Sequence, residues 1–367
     1  DFPDTEVYLL AGACELEKGQ QPEFTHLRSI AFVRSPGWKR IWAWSVYTLH
    51  FIYLILFRRW DLVVVTTNPP LCAWAMGLLA GVFKRPYVLI QYDVYPDVLS
   101  RMGGLRQQSP LYCLLSRLSA RSMRKASAVV TLAEDMVEHL RAHDKQAELP
   151  LAIIPNWADT TVYRPLPKAE NAFAREHGLT DKFVVMYSGA FGATHDMDSM
   201  LKAAQALADL PDVVILLVGK GTRLREIETE VRRRGATNVK LLPWQPLETV
   251  PLSLAAADCH IVTLDAPYAG ISFPSKFYTS ISVGASILAI APNEAALGDI
   301  VRDSEIGFVI PPGQPDKLAD AVRELQTNPE GAARMRQNSR ELAVSRYDEA
   351  YCTGEYTKLI KNILNET

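Results

Sequence analysis

The sequence predicts an α/β fold built from two Rossmann-like domains. Its 367 residues suffice for two domains of about 150 residues each. Short apolar runs that do not alternate with polar residues recur along the chain, separated by segments of helical periodicity. Such runs are typical of parallel strands that are buried on both faces. A turn-rich segment at 155–159, followed by Pro165 and Pro167, predicts the junction between the two domains.

The predicted elements alternate in both halves of the chain, as this fold class requires. The strands are the short apolar runs, and the helices are the segments between them. In the first half we predict strands at 7–10, 62–66, 87–91, 128–131 and 152–154, and helices at 40–58, 70–83, 110–126 and 133–143. In the second half we predict strands at 183–187, 213–218, 239–242, 260–264, 286–290 and 307–309, and helices at 196–209, 221–234, 248–256, 276–283, 294–302 and 315–326.

These elements define two predicted domains. We place the first at residues 1–163 and the second at residues 164–345. The C-terminal segment 346–367 is predicted to be a helix that packs back on the first domain.

Composition narrows the classes of function. The net charge of −2 argues against a nucleic-acid-binding protein, which would carry a basic excess. The 5 cysteines show no spacing typical of a disulfide framework or a zinc site. A reducing cytoplasm fits this pattern.

The segment Ile41–Phe57 is almost continuously apolar, with Lys39 and Arg40 before it and Arg58 and Arg59 after it. It is shorter than the roughly 20 residues of a membrane span and leads directly into a strand. We therefore expect a packed helix, or one that lies on an anionic bilayer. Of these two, a helix buried inside the domain is the simpler interpretation.

Two glycine-rich loops follow strands of the second domain. Ser188–Gly192 follows the strand at 183–187, and Gly219–Arg223 follows the strand at 213–218. Glycine lets the backbone approach a phosphate closely, and open α/β sheets bind ligands at the carboxyl ends of their strands. The glycines lack the G-x-G-x-x-G spacing of a redox dinucleotide site.

The most informative segment lies at 258–284, where a buried strand leads to Pro274, Ser275 and Lys276 at a predicted helix start. A lysine in the first turn of a helix opposes the helix dipole, so a bound phosphate would explain it better than stability does. The alternative is a solvated lysine at a loop edge.

Taken in order, these motifs resemble retaining GT-B glycosyltransferases of family 4, of the bacterial exopolysaccharide and O-antigen type. The resemblance rests on Tyr-Ser-Gly-Ala-Phe-Gly at 187–192, Leu-Val-Gly-Lys-Gly at 217–221, Leu-Pro-Trp at 242–244, Ala-Ala-Ala-Asp at 255–258 and Pro-Ser-Lys at 274–276. Asp-Val-Tyr-Pro-Asp at 93–97 and Ile-Pro-Asn-Trp-Ala-Asp at 154–159 extend it into the first domain. It implies a GT-B fold, in which two Rossmann-like domains face each other across a cleft.

The resemblance also implies roles for individual residues. Ser275 and Lys276 would hold the pyrophosphate of a nucleotide-sugar donor, and Lys276 would neutralise the leaving nucleotide diphosphate. The other implied donor-binding residues are Gly189, Gly192, Lys220, Arg223, Pro243, Trp244 and Thr279. Of these, Arg223 is equally consistent with a solvent-facing side chain. The resemblance also implies a metal-independent mechanism, in which lysine and helix ends supply the positive charge, so we expect no cofactor and no metal.

The sequence departs from the family at three places. Ile271 and Thr279 stand where many relatives carry two glutamates, the second of which binds the nucleotide ribose. Tyr92 stands where many relatives carry a first-domain histidine. The next residue, Asp93, is then either the acceptor-side carboxylate or a turn residue. The opening βα unit of the family is not found ahead of the strand at 7–10. We therefore expect a first domain that lacks this unit.

The resulting hypothesis is a retaining, metal-independent hexosyl- or N-acetylhexosaminyl-type transferase of cell-surface polysaccharide biosynthesis. It would use a nucleotide-diphosphate sugar as donor and a glycan or a lipid-pyrophosphate-linked saccharide as acceptor. We expect it in the cytoplasm, with peripheral contact to the inner face of the cell membrane. The alternatives are a GT-B epimerase or hydrolase of nucleotide sugars, and a catalytically silent GT-B partner protein.

Overall fold

The structure is a computed structural model that describes residues 5–12, 24–31, 37–79, 81–143, 148–192 and 196–365. The chain divides into two compact units. Unit 1 comprises Asp1–Leu132, Val137–Ile153 and Tyr356–Thr367, and unit 2 comprises Ala133–Met136 and Ile154–Glu355. The last helix, Glu349–Asn365, therefore contributes residues to both units.

Unit 1 contains a parallel pair of strands and a separate four-stranded parallel sheet. Its strands are β1 (Tyr8–Ala11), β2 (Thr25–Arg28), β3 (Val63–Thr66), β4 (Tyr87–Ile90), β5 (Ala128–Thr131) and β6 (Leu151–Ile153). Its helices are α1 (Gly37–Phe57), α2 (Pro70–Leu79), α3 (Asp97–Arg101), α4 (Pro110–Lys125) and α5 (Glu134–His143), whose first turn belongs to unit 2. The order of the larger sheet is β3-β4-β5-β6. Every residue of β4 and β5 is buried, because both faces of the sheet are covered.

Unit 2 is built on a six-stranded parallel sheet. Its strands are β7 (Phe183–Ala190), β8 (Val213–Lys220), β9 (Val239–Leu242), β10 (Cys259–Thr263), β11 (Ser286–Ile290) and β12 (Gly307–Ile310). Its helices are α6 (Ala172–Glu176), α7 (Met197–Ala206), α8 (Leu224–Arg234), α9 (Val250–Ala255), α10 (Lys276–Ser282), α11 (Ala296–Asp303), α12 (Pro315–Thr327) and α13 (Pro329–Arg346), followed by α14 (Glu349–Asn365).

The strand order of unit 2 is β12-β11-β10-β7-β8-β9, so the winding direction reverses between β7 and β10. From β7 the chain proceeds outward to β8 and β9, and it then returns to β10 on the other side of β7. Open α/β sheets bind ligands outside the carboxyl ends of the strands at such a switch point. The fold therefore singles out the loops that follow β7 and β10.

The structure confirms all eleven predicted strands, with ends that shift by up to three residues. The main elements that the sequence did not predict are β2, α3, α6 and α13. The buried face of α13 is made largely of small residues, namely Gly331, Ala332, Ser339 and Ala343, so it lacks the periodic large apolar residues that reveal a helix.

Helix α1 is apolar on two opposite faces. Ala43, Phe51, Leu54 and Ile55 are buried, whereas Trp42, Leu49 and Tyr53 are exposed. Among the residues that the structure describes, α1 alone combines the length and apolar composition that a membrane span requires. Its inner face is held by packing and by the Tyr47 hydroxyl, which donates to the carbonyl of Leu10 at 2.6 Å. The expectation of a packed helix holds for this face.

A charged network stabilises the base of the unit 2 sheet. The Asp258 carboxylate accepts hydrogen bonds from the backbone N–H of Val184, at 2.7 Å, and from the Lys168 ammonium. Arg336 adds a longer contact of 3.4 Å from its guanidinium. Asp258 therefore ties the amino end of β7 to the segment before β10.

We expect Asp258→Ala to lower the free energy of unfolding of unit 2 by about 3 kcal/mol, because it leaves the part-buried Lys168 ammonium without its anion. The matched control is Asp212→Ala, which removes an exposed ion pair with Lys182 and should cost about 0.5 kcal/mol or less. Chemical denaturation monitored by tryptophan fluorescence measures both values. Equal effects of the two substitutions would contradict the structural role given to Asp258.

Candidate active site

The predicted donor-site residues gather along the carboxyl edge of the unit 2 sheet. Gly189 lies near the end of β7, and Lys220 is the last residue of β8. Pro243 and Trp244 follow β9, whereas Ser275, Lys276 and Thr279 lie at the start of α10, beyond β10. The elements that carry them are therefore those of the switch point and its neighbours.

Lys276 is the central charged group of this edge. Its ammonium donates a hydrogen bond to the Tyr187 hydroxyl at 2.9 Å and lies 4.0 Å from the centroid of the Tyr187 ring. Within the part of the chain that the structure describes, no carboxylate forms an ion pair with it. A buried cation without a counter-ion is costly, and a bound anion would remove that cost.

Tyr187 fixes the position of that ammonium. The side chain is fully buried in β7, with an exposed fraction of 0%. Its hydroxyl donates to the carbonyl of Ala190 at 2.9 Å, and its ring stacks on Phe191 with centroids 6.0 Å apart. An aromatic face below an ammonium contributes a cation–π attraction as well as a hydrogen-bond acceptor. Tyr187 thus holds the Lys276 ammonium against the carboxyl end of β7.

Gly189 leaves room for this arrangement. It adopts a φ of 151°, and a β-carbon placed there would lie 3.3 Å from Nζ of Lys276. A side chain at this position would therefore be strained and would displace the ammonium. The glycine predicted to line the donor phosphates borders directly on the predicted phosphate-binding lysine.

The pKa of Lys276 is lowered from 10.5 to about 7, mainly by burial of its ammonium, with Asp265 acting in the opposite direction. The residue as a whole is half-buried, but its charged end lies among protein atoms. Burial and the charge of Asp196 raise the pKa of Asp265 to about 6. Perturbed groups of this kind cluster at functional sites.

Lys220 and Trp244 form a second feature of the same edge. The Lys220 ammonium lies 4.9 Å from the centroid of the Trp244 ring, and the tryptophan is 52% exposed. The neighbouring carbonyl of Pro243 accepts a hydrogen bond from Gln245 at 2.8 Å. An exposed aromatic ring beside a cation offers a stacking surface for a planar group such as a nucleobase.

The side chains of the other predicted residues differ in their hydrogen-bond partners and their exposure. The Arg223 guanidinium contacts Glu226 at 3.0 and 2.7 Å, and this partner raises its pKa. The Thr279 hydroxyl donates to the carbonyl of Lys276 at 3.2 Å, within its own helix. Ser275 is exposed and precedes α10 without a side-chain capping bond. Gly192 is half-buried at the end of the described part of its loop.

Asp93 lies in unit 1, after the carboxyl end of β4. The hydroxyl of Thr67, which follows β3, accepts the backbone N–H groups of Tyr92 and Asp93 at 3.1 and 3.3 Å. Burial raises the pKa of the Asp93 carboxyl. Among the described residues none donates a hydrogen bond to this carboxylate, so it is available to a ligand.

Comparison with protein families identifies both units. Residues 169–342 match the family described as glycosyl transferases group 1, and residues 9–157 match the glycosyl transferase 4-like domain. Together the two families account for most of the chain. The chain therefore combines a glycosyl transferase 4-like domain with a glycosyl transferases group 1 domain, and it is a glycosyltransferase.

Individual relatives agree with this assignment. The chain is 26% identical over 313 residues to WbjE of Pseudomonas aeruginosa, a protein named as a glycosyltransferase. This match covers 84% of this chain and 76% of WbjE. It is 25% identical to WcaI of Escherichia coli, named for colanic acid biosynthesis, over 75% of this chain and 69% of WcaI.

The fold also matches solved glycosyltransferase structures. HepE of Anabaena, solved in complex with UDP, has a TM-score of 0.71 at 17% identity over 93% of this chain and 87% of HepE. The fold is therefore GT-B, as the motif order predicted.

The sequence analysis did not assign a role at this site to two residues, Tyr187 and Asp265. In the sequence, Tyr187 resembles any core residue of a strand, and Asp265 resembles any acidic residue of a loop. The signal for Tyr187 was its position immediately before the Ser-Gly of a strand-end loop. For Asp265 it was a carboxylate just beyond a buried strand of the same sheet.

Proposed function

We propose that this enzyme transfers a hexosyl- or N-acetylhexosaminyl-type sugar from a nucleotide-diphosphate donor to a glycan or lipid-pyrophosphate-linked saccharide. The transfer proceeds with retention at the anomeric carbon and without a metal ion, in the biosynthesis of a cell-surface polysaccharide. Unit 2 binds the donor, and unit 1 contributes Asp93 on the acceptor side.

One observation carries this proposal. Lys276 places a buried ammonium, without a carboxylate in ion-pair contact among the described residues, at the switch point of the unit 2 sheet. The departing nucleotide diphosphate gains negative charge in the transition state, and a fixed cation in a site of low dielectric stabilises that charge. Tyr187 keeps the cation in place before the donor arrives, so little reorganisation accompanies the reaction.

The other donor-side residues complete the proposed assignment. Gly189 and Gly192 line the diphosphate, with Ser275 beside Lys276. The pair of Lys220 and Trp244 lies against the base, next to the backbone of Pro243. Thr279 contributes at most a hydroxyl to the ribose, and Arg223 acts through its charge while paired with Glu226.

The relatives support the donor and pathway classes. HepE has been solved with UDP and with UDP-glucose, and WcaI is named for the biosynthesis of the polysaccharide colanic acid. Both observations concern those proteins. They favour a nucleotide-diphosphate sugar and a polysaccharide pathway for this chain.

A panel of UDP-, GDP- and dTDP-sugars with short oligosaccharide and lipid-pyrophosphate acceptors tests the proposal. We expect one donor to yield a glycosylated product, and NMR of its anomeric proton should report the configuration of the donor. An epimerised or hydrolysed sugar without a glycosylated acceptor would favour the epimerase or hydrolase alternative. Nucleotide binding without any turnover would favour the silent partner.

The lowered pKa of Lys276 makes a prediction about pH. Between pH 7 and 10.5 the unfolded chain holds a proton that the ligand-free folded chain has lost. The contribution of Lys276 to stability therefore increases as the pH rises through this window. A bound diphosphate favours the protonated lysine, so its affinity should fall above pH 7 by up to about tenfold per pH unit.

Calorimetric titration of UDP between about pH 7 and 9, above the phosphate pKa near 6, measures this dependence. In buffers of different ionisation enthalpy it should also show proton uptake on binding. Lys276→Met should bind weakly with no such uptake. Uptake that persists in the variant would assign the proton to another group.

We also propose that the enzyme works at the cytoplasmic face of the cell membrane, as a peripheral protein. The exposed face of α1, with Trp38, Trp42 and Leu49 at its surface, supports this proposal. The buried face of the same helix opposes a membrane span, since insertion would remove Phe51 and Leu54 from the core of unit 1. An interfacial helix keeps both faces covered.

A further inference from the structure

A cationic groove lies at the edge of unit 1 where its parallel strands begin. It is open to solvent, has a volume of about 230 Å³, and lies between the end of α1 and the segment that leads into β4. Four cations line it: Arg58, Arg59, Lys84 and Arg85. Its apolar walls include Leu56 and Val82. We name it the amino-edge groove, because the segments that form it lead directly into β3 and β4.

The charges of the amino-edge groove are all of one sign. No acidic residue lines it, and none of its four cations forms an ion pair with another described residue. Clefts lined by charges of one sign concentrate ions of the opposite sign. The groove is thus complementary to an anion.

Exposed apolar side chains surround these cations. Phe57 is 71% exposed at the end of α1, and Val82 is 69% exposed across the groove. The exposed stripe continues along α1 through Tyr53 and Leu49 to Trp42. An apolar stripe of this length next to a cluster of cations is the composition of a helix that lies in a bilayer interface.

We propose that the amino-edge groove binds the phosphate groups of anionic phospholipids, while the exposed stripe of α1 lies among the upper acyl chains. The inference rests on the peripheral membrane contact proposed above and names the surface and the lipid class. Basic side chains near an anionic membrane each add to affinity, and apolar side chains make the contact persist at higher salt.

The groove is separate from the acceptor-side carboxylate. Asp93 follows the carboxyl end of β4, whereas the groove precedes the amino end of β3 and β4. Four residues of extended strand, or roughly 13 Å, lie between these edges. Lipid bound in the groove therefore leaves Asp93 accessible.

Vesicle co-sedimentation of the full chain tests the inference. The probes are vesicles of phosphatidylcholine alone and vesicles that also contain about 30% phosphatidylglycerol, an anionic lipid. We expect binding to the anionic vesicles only, with affinity that falls as salt rises. The variant R58Q/R59Q/K84Q/R85Q should bind at least about tenfold more weakly, since each basic residue near an anionic membrane contributes about a fivefold factor.

A matched variant controls for net charge. K202Q/R225Q/K317Q/R334Q removes four exposed cations from unit 2 and should bind anionic vesicles as the unaltered chain does. A second variant, F57S/V82S, retains the cations of the groove and should dissociate at lower salt. UDP titration of each variant is a separate readout, so failure of the nucleotide proposal and failure of the lipid proposal are distinguishable.

Four results would overturn the inference. The first is an equal loss of vesicle affinity in both quadruple variants, and the second is equal binding to neutral and anionic vesicles. The third is displacement of the protein from vesicles by inorganic pyrophosphate at equal phosphate concentration. The fourth is resistance of the membrane-bound protein to alkaline carbonate extraction. The third would indicate a site for a soluble anion, and the fourth a membrane span.

Discussion

Lys276→Ala is expected to reduce the rate of sugar transfer by about 10²- to 10³-fold, or about 3–4 kcal/mol of transition-state stabilisation. In the proposed assignment the ammonium faces the leaving diphosphate, and it lies 2.9 Å from the Tyr187 hydroxyl. Loss of the charge should lower kcat and weaken binding of the nucleotide diphosphate product. Steady-state kinetics with the donor identified from the panel measures the first effect, and product inhibition measures the second.

Two further variants separate charge from folding. Lys276→Met retains most of the apolar stem, so a loss of the same size would assign the effect to the ammonium. Lys202→Ala removes an exposed lysine of α7 in the same unit and should leave the rate within about twofold. Transfer by Lys276→Met at the rate of the unaltered enzyme would show that the lysine does not serve the reaction.

Asp93→Asn is expected to reduce kcat by about 10²-fold or more, with little change in nucleotide affinity. Its carboxylate is half-buried without a described hydrogen-bond donor, and burial raises its pKa. A carboxylate in that state accepts a proton from an acceptor hydroxyl more readily than a solvated one does. The asparagine side chain is almost the same size, so the loss would report the charge and not the packing.

Asp61→Asn, at an exposed position of unit 1, is the matched control and should retain full activity. UDP titration of Asp93→Asn should give the affinity of the unaltered chain, because the role proposed for Asp93 is on the acceptor side. If Asp93→Asn lost UDP affinity and kept kcat, the residue would belong to the donor site. If Asp93→Asn changed neither UDP affinity nor kcat, Asp93 would serve only the turn that Thr67 stabilises.

Much of unit 2 could be predicted from the sequence because its signals are local. A buried strand, a Pro-Ser-Lys segment and a helical period place Lys276 at the helix start that follows the strand, without any knowledge of its neighbours. The ion pair of Arg223 with Glu226 also follows from local spacing, since residues three apart share a helix face. The Thr279 hydroxyl bonds one turn back in its own helix for the same reason.

The partners of Lys276 could not be predicted in this way. Tyr187 lies 89 residues away in the chain, and the contact arises because β7 and β10 are neighbours in the sheet. The strand order that brings them together is a property of the whole unit. The amino-edge groove is similar, since Arg58 and Lys84 come from segments whose proximity depends on the pairing of β3 with β4.

Comparison of nucleotide diphosphate with monophosphate binding tests the central claim most directly. For whichever of uridine, guanosine and thymidine gives the tightest binding, calorimetry measures the affinities of its diphosphate and its monophosphate. Each is measured for the unaltered chain and for Lys276→Met. The four values form a thermodynamic cycle that isolates the interaction between the lysine and the second phosphate. We expect the unaltered chain to prefer the diphosphate by at least about tenfold and the variant to lose that preference. A preference that is the same in both proteins would contradict the assignment of Lys276 to the diphosphate of a sugar donor.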